Sequence, residues 1–133
     1  MAEQVEIVEV GPRDGLQNEP GAISVAQKVA LIEALAGAGL RAIEVGSYVS
    51  PKWVPQMADT DRVLAEVSLP ASVKRTVLVP NMKGFEALMA APVLPDEVAV
   101  FIAASEGFSK ANLNCTIAES LERLAPVVKA VQG

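Results

Sequence analysis

The 133-residue sequence contains no histidine, and it has one cysteine, one tryptophan and one tyrosine. Without histidine, the chain lacks the side chain that most often acts as a general base near neutral pH and as a transition-metal ligand. A single cysteine excludes a disulfide framework within the chain. The sequence also lacks an apolar run of about 18 residues and a signal-like start, so we expect a cytoplasmic location and no membrane-spanning helix.

Basic residues are scarce as well. Eleven Lys and Arg residues stand against 16 Asp and Glu residues, and the formal net charge of −5 argues against binding to nucleic acid or to an anionic membrane. Apolar residues make up 51% of the chain, which is typical of heavily buried parallel strands. The length fits a single domain, residues 1–133.

Strand-like and helix-like segments alternate along the chain. We expect strands over residues 5–10, 41–47, 74–80 and 97–103, each followed by a polar loop and a helix. This alternation predicts a parallel α/β sheet, with all the loops that follow strands on one face. Polar motifs in those loops are typical of a TIM-type (β/α) barrel, but four units are half of what an eight-stranded barrel of about 250 residues requires.

Local signals define several of the predicted helices. Ser24 with Gln27 and Thr116 with Glu119 have the form of capping boxes, in which a hydroxyl and a longer polar side chain satisfy free backbone amides. Gly37 and Gly39 are expected to end the first helix, and Asp59 or Thr60 is expected to cap the second. A third helix is expected over residues 82–91. Residues 104–115 are expected to form a loop. Pro126 should kink or shorten the last helix.

The most informative loop is GPRDGLQNE, residues 11–19, which follows the first predicted strand. Asp14 at a strand end is well placed for a metal ligand or a general base. The alternative is an Asx-turn, in which its carboxylate accepts from backbone amides before Gly15. Arg13 can bind a carboxylate or a thioester oxygen through its planar fork, and a surface salt bridge is the alternative for this residue.

Glu44 is unusual because it stands inside an apolar strand, on the predicted face of Ala42 and Gly46. A carboxylate among small residues on the inner face of a barrel must be paired, hydrated or protonated, and Arg13 is the available partner. A purely structural ion pair is the alternative. Ser47 is expected to share the face of Glu44 and can donate to a substrate oxygen, although a turn serine is the simpler interpretation.

Other residues of these loops carry weaker signals. Tyr48, Lys52 and Trp53 can contact a large ligand, although a lone tryptophan more often packs in a core. Cys115 precedes a predicted helix, where a thiol can become acidic, but the chain offers no histidine to pair with it. An ordinary small buried residue is the simpler interpretation.

Four motifs together resemble the 3-hydroxy-3-methylglutaryl-CoA lyases over essentially the whole chain. They are GPRDGLQNE, AIEVGSYVSPKWVPQM, PNMKGFEA and AASEGFSKANLN, one on or after each predicted strand. The resemblance implies a (β/α)8 barrel and a retro-Claisen cleavage of 3-hydroxy-3-methylglutaryl-CoA to acetyl-CoA and acetoacetate. It also implies a divalent cation, Mg or Mn, that chelates the hydroxyl and carboxylate oxygens of the acyl-CoA substrate.

The same resemblance implies roles for individual residues. Asp14 matches a metal ligand, and Arg13 matches the residue that stabilises the enolate of the acetyl-CoA product. Glu44 matches the acidic partner that positions this site, while Gln17 and Ser47 are expected to join Arg13 in binding substrate. A hard cation prefers oxygen ligands, and a fixed cation beside a developing enolate lowers the barrier, so these roles agree with the chemistry of the side chains.

The sequence departs from this family in one respect. The family takes two histidines, an asparagine and a cysteine loop from the second half of its barrel, and this chain has no histidine. We therefore expect the N-terminal half of a lyase that is inactive alone and that forms a homodimer or needs a complementary half-barrel. The alternatives are a non-catalytic half-barrel and a related acyl-CoA aldolase or synthase. The latter typically carries RDGEQ, where this chain has Leu16-Gln17-Asn18.

Overall fold

The computed structural model describes residues 2–133, which form a four-stranded parallel sheet with strand order β1-β2-β3-β4. The strands are β1 (Val8–Glu9), β2 (Ala42–Ser47), β3 (Lys74–Leu78) and β4 (Glu97–Ala99). The helices are α1 (Val25–Gly37), α2 (Thr60–Glu66), α3 (Met82–Met89), α4 (Glu106–Leu113) and α5 (Ile117–Gln132). The predicted alternation of parallel strands and helices is confirmed.

The observed strands are shorter than the predicted ones, most of all at the two edges of the sheet. β1 pairs only with β2, through Val8 opposite Ala42 and Glu9 opposite Ile43. β4 pairs only with β3 over three residues. An edge strand has a neighbour on one side, so apolar residues that continue the pattern beyond the paired segment remain outside the ladder.

The helix signals were largely correct. Both predicted capping boxes are present, with Ser24 accepting from the Gln27 amide and Thr116 accepting from the Glu119 amide. Gly39 follows α1 with a φ of +105°, a left-handed conformation that favours glycine. Gly37, in contrast, is the last residue of α1.

Three helix predictions require correction. Residues 106–113 form α4, which Ser105 caps by accepting from the Phe108 amide, so the predicted loop is largely helical. α5 continues through Pro126 to Gln132, so the prediction that the helix ends early at this residue is wrong. A proline removes one backbone donor, while the bonds on either side of it persist. Asp59 precedes α2 but makes no side-chain capping hydrogen bond.

The main core lies between one face of the sheet and the helices. Apolar side chains of β2, β3 and the residues beside β3 pack against α1, α2, α3 and α5. The fully or nearly fully buried members are Ile32, Ile43, Val45, Val63, Leu64, Val73, Val77, Val79, Leu88 and Val127. This core fixes β2 and β3 as the rigid centre of the molecule.

A β-bulge in β2 determines which side chains face away from that core. Glu44 pairs with Thr76 and Ser47 with Leu78, while the register shifts between Glu44 and Gly46. Because Thr76 and Leu78 are two residues apart on one strand, Glu44 and Ser47 occupy the same face of the sheet. The expectation that they share a face is confirmed, but only because of the bulge, since strict alternation would separate residues 44 and 47.

Apolar side chains remain exposed at both edges of the sheet. Beside β1 they are Val5, Ile7, Val8 and Val10, and beyond β4 they are Val100, Phe101 and Ile102. The latter line an apolar groove with Leu121, Leu124 and Val128 of α5. Within residues 2–133, no helix is both long and apolar enough to span a membrane.

Candidate active site

The residues of the GPRDGLQNE motif lie at the carboxyl end of β1. Residues Gly11–Gly15 form a single helical turn of the π type, in which Pro12 is buried. The amides of Arg13 and Asp14 donate to the carbonyl oxygen of Val10 at 3.1 and 2.7 Å. This turn therefore places Arg13 beside Glu44 of β2.

Arg13 and Glu44 form the central ion pair of the site. The Nε atom of Arg13 lies 2.7 Å from Oε1 of Glu44, and the side chains are 16% and 8% exposed. The predicted pairing of these residues is confirmed. A carboxylate buried to this extent requires a cationic or donor partner, and the guanidinium meets that requirement.

The remaining donors of Arg13 face the outer part of the site. Nη1 lies 3.3 Å from Oδ1 of Asp14. Among the described residues, Nη2 has no hydrogen-bond acceptor. Glu44 thus fixes one end of the guanidinium, and the opposite end of its planar fork keeps donors for an anionic or carbonyl oxygen.

Asp14 is the exposed member of the cluster, with 57% of its side chain accessible. Its carbonyl oxygen accepts from Nδ2 of Asn18 at 2.8 Å. Its carboxylate accepts a hydrogen bond from Arg13, but within residues 2–133 no backbone amide donates to it. Because an Asx-turn requires such an amide, the Asx-turn alternative is wrong. The carboxylate oxygens are therefore accessible to a cation.

The described residues fit a divalent cation only in part. Nowhere in residues 2–133 do three or more His, Cys, Asp or Glu side chains form a group able to hold a metal ion. Asp14 offers the hard oxygen ligand that Mg or Mn prefers, but a complete shell needs about six ligands. This part of the chain supplies one such ligand and does not form a metal centre by itself.

Gln17 and Ser47 lie near this cluster in the chain but make no hydrogen bond to it. Gln17 is half-buried just after the helical turn. Ser47 is 2% exposed, and its hydroxyl accepts from the Val49 amide at 3.1 Å. The turn interpretation of Ser47 is therefore confirmed, and the residue lies on the face of the sheet that carries Glu44.

A second ion pair, between Lys28 and Asp59, lies beside the site and was not predicted from the sequence. The Lys28 side chain is only 4% exposed, and its Nζ atom lies 2.6 Å from Oδ1 of Asp59. It also donates to the carbonyl oxygen of Gln56. Lys28 lies on the buried face of α1 with Val25 and Ile32, and a charged residue at apolar spacing is the signal that would have identified it.

The loop after β2 presents two aromatic side chains in different ways. Trp53 is 84% exposed, so the core-packing interpretation is wrong, and Lys52 beside it is also exposed. Tyr48 is half-buried and donates to Oδ1 of Asp61 at 2.5 Å. Burial raises the pKa of the Tyr48 phenol well above its usual value, and the adjacent Asp61 carboxylate adds to this effect.

Cys115 is buried, which agrees with its interpretation as an ordinary small buried residue.

Comparison with known proteins gives a consistent result. The HMGL-like family model matches residues 4–133. A Pseudomonas aeruginosa 3-hydroxy-3-isohexenylglutaryl-CoA/hydroxymethylglutaryl-CoA lyase is 54% identical over 132 residues, which cover 99% of this chain and 43% of the relative. The crystal structure of a Brucella melitensis HMG-CoA lyase is 60% identical and superposes with a TM-score of 0.88, covering 97% of this chain and 45% of the other.

One related protein has been solved with ligands bound. The structure of an Acinetobacter baumannii HMG-CoA lyase with coenzyme A and 3-methylmalate is 34% identical to this chain, with a TM-score of 0.85. The alignment covers 96% of this chain and 41% of that structure. The chain thus spans less than half the length of the proteins it matches.

Proposed function

The chain belongs to the HMGL-like family, and we propose that it forms one half of the active site of a 3-hydroxy-3-methylglutaryl-CoA lyase. The reaction is cleavage of this acyl-CoA to acetyl-CoA and acetoacetate. The observation that carries the proposal is the buried pair that Arg13, at the carboxyl end of β1, forms with Glu44 of β2. Barrel enzymes hold their catalytic residues at the carboxyl end of the strands. The similarity to lyases supports the same reaction class.

Arg13 is proposed to stabilise the charge that develops during cleavage. The proton of the 3-hydroxyl group passes to a base supplied by another part of the barrel, a carbonyl forms at C3 as the bond between C2 and C3 breaks, and the electron pair of that bond moves to the thioester oxygen of the enolate. A proton donor from another part of the barrel then protonates C2 to give acetyl-CoA. A guanidinium already held by Glu44 does not have to reorganise to meet that oxygen. Gln17 and Ser47 are proposed to join Arg13 in binding the substrate.

Asp14 is proposed as a ligand of Mg or Mn. When bound, a divalent cation lowers the free energy of the alkoxide that forms from the substrate hydroxyl. Asp14 can supply one accessible carboxylate, and we propose that the rest of the shell comes from substrate oxygens, water and another part of the barrel. Arg13 lies between Asp14 and Glu44 and orients both carboxylates.

The proposed partners are an acyl-CoA substrate and a complementary half-barrel. β1 and β4 each leave one edge unpaired within residues 2–133, and exposed apolar side chains border both edges. Such edges invite pairing with further strands. A homodimer would satisfy the same edges and is the second candidate for the assembly. We retain a cytoplasmic location as a prediction.

The test is formation of acetoacetate and acetyl-CoA in the presence of Mg or Mn. We would assay the 133-residue chain alone and after mixing with the C-terminal half of a related lyase. Activity on mixing supports the proposal, whereas a folded mixture without activity refutes it and favours a non-catalytic half-barrel. Activity of the chain alone would show that it completes its site without a second half.

Substitution of Arg13 tests the assigned role directly. In the active assembly, Arg13→Gln should lower kcat by about 100-fold or more and change KM much less, because the contact strengthens in the transition state. The matched control is Arg62→Gln, which removes an exposed arginine of α2 whose side chain is 69% accessible. Equal kcat values for the two variants would remove Arg13 from the mechanism.

A further inference from the structure

The buried Lys28 side chain pairs with Asp59 and connects α1 to the segment that follows β2. Lys28 lies in the first turn of α1, directly after the loop that begins with the Gly11–Gly15 turn. Its ammonium contacts Asp59 and the carbonyl oxygen of Gln56, both in the segment that follows β2. A buried ammonium is costly unless it is paired, so the position of the segment after β2 is tied to that of α1.

A further hydrogen bond extends this connection to the loop itself. The Nε2 atom of Gln56 donates to the carbonyl oxygen of Glu19 at 3.1 Å. Gln56 therefore contacts Lys28 through its backbone and the loop after β1 through its side chain. The polar network formed by Glu19, Lys28, Gln56 and Asp59 joins the loop that carries Arg13 to α1 and to the segment that follows β2.

The later residues of this loop border a cleft. A cleft of about 310 Å³ separates the loop residues Leu16 and Pro20–Ile23 from Lys28, Gln56 and Asp59. The hydrogen bond from Nε2 of Gln56 to the carbonyl oxygen of Glu19 is the contact by which the polar network reaches this loop.

We propose that Lys28 is a positioning residue that fixes the loop of residues 11–23, and hence Arg13 and Asp14, relative to Glu44. It acts through the Gln56 carbonyl and the Asp59 carboxylate and does not itself contact substrate. A buried ion pair is weak evidence for global stability, and its better-supported use is to specify one arrangement of the chain. The catalytic part of this inference depends on the proposed lyase function, whereas the loop-positioning part does not.

Hydrogen exchange of the 133-residue chain tests the positioning of the loop. Lys28→Met keeps the aliphatic length and removes the donors, so amide exchange over residues 16–23 should accelerate about tenfold or more, while exchange in β2 and β3 stays unchanged. The matched control is Arg75→Met, which breaks the Arg75–Asp96 pair at the opposite end of the sheet, with Nε and Oδ2 3.1 Å apart. It should leave residues 16–23 unchanged.

Two results would overturn the proposal. One is unchanged exchange over residues 16–23 in Lys28→Met, and the other is equal acceleration throughout the sheet, which would indicate a general structural role. If Lys28→Met does not fold, Asp59→Asn retains the ammonium and its bond to the Gln56 carbonyl. Selective acceleration in that variant supports the proposal, whereas loss of folding in both variants refutes it.

Kinetics of the assembled enzyme test the catalytic consequence. Lys28→Met should lower kcat about tenfold or more with a smaller change in KM, since misplacing a transition-state group by about 1 Å is sufficient for such a loss. Lys28→Arg should restore most of kcat because it keeps a cation with donors for both acceptors. An unchanged kcat in Lys28→Met, or an equal loss of kcat in Arg75→Met, would overturn the proposed effect of Lys28 on catalysis. A wild-type assembly without activity would refute the proposed function and leave the exchange result to decide the loop positioning.

Discussion

Removing the charge of Glu44 tests whether the central ion pair is as desolvated as its geometry implies. With a hydrogen bond of 2.7 Å, the two charge centres lie about 4 Å apart, and an effective dielectric constant of about 20 gives an attraction of about 4 kcal/mol. Desolvation of two largely buried groups offsets part of this. In a double-mutant cycle of Glu44→Gln and Arg13→Met, we expect a coupling free energy of about 2 kcal/mol.

The assay is urea unfolding at pH 7 of the wild type, both single variants and the double variant. The control cycle uses Arg62 and Glu66 of α2, an i,i+4 pair with a distance of 3.1 Å and side chains 69% and 48% exposed. Its expected coupling is about 0.3–0.5 kcal/mol. A coupling for Arg13 and Glu44 no larger than this control would refute the claim that burial strengthens the pair.

Three further predictions concern the framework around the site. A Cβ atom on Gly46 would lie 2.6 Å from the Thr60 side chain, so Gly46→Ala should lower the free energy of unfolding by about 1–3 kcal/mol in urea titrations. The pKa of Tyr48 is raised in the fold, so the folded state retains a proton that the unfolded chain loses above about pH 10, and stability should fall as pH rises beyond that value. Tyr48→Phe should reduce this fall between pH 9 and 11. Thr116→Ala should cost about 1 kcal/mol in thermal unfolding, because it removes the α5 cap.

Features that depend on local chemistry were predictable from the sequence. A capping box needs only residues within one turn, and both boxes are present where the pattern placed them. The alternation of strands and helices was equally clear, because a parallel strand requires a crossover before the next. The pairing of Glu44 with Arg13 followed from the cost of leaving a strand carboxylate without a partner.

Features that depend on distant parts of the chain were missed. The contacts of Lys28 lie 28 and 31 residues away in sequence, so no local pattern specifies them. α4 has a weakly apolar sequence, EGFSKANL, and its cap at Ser105 is a single serine that also fits a turn. The lengths of β1 and β4 depend on how many residues find a partner in the neighbouring strand, which the apolar pattern alone does not determine.

The bulge in β2 explains how one strand serves both the core and the candidate site. Its extra residue lets Val45 and Gly46 face the helices in succession, so that Glu44 and Ser47 can both face the opposite side. The Thr60 hydroxyl accepts from the Ser47 amide at 3.1 Å and lies within hydrogen-bonding distance of the Ser47 carbonyl, which satisfies backbone groups at the end of the strand.

That contact requires Thr60 to approach the strand where Gly46 has no side chain, and the same approach brings Asp59 within reach of Lys28. A larger residue at position 46 would therefore displace the start of α2 together with the Asp59 carboxylate. The glycine in the strand and the buried lysine are therefore linked through the start of α2, and a larger residue at position 46 should weaken the Lys28–Asp59 contact.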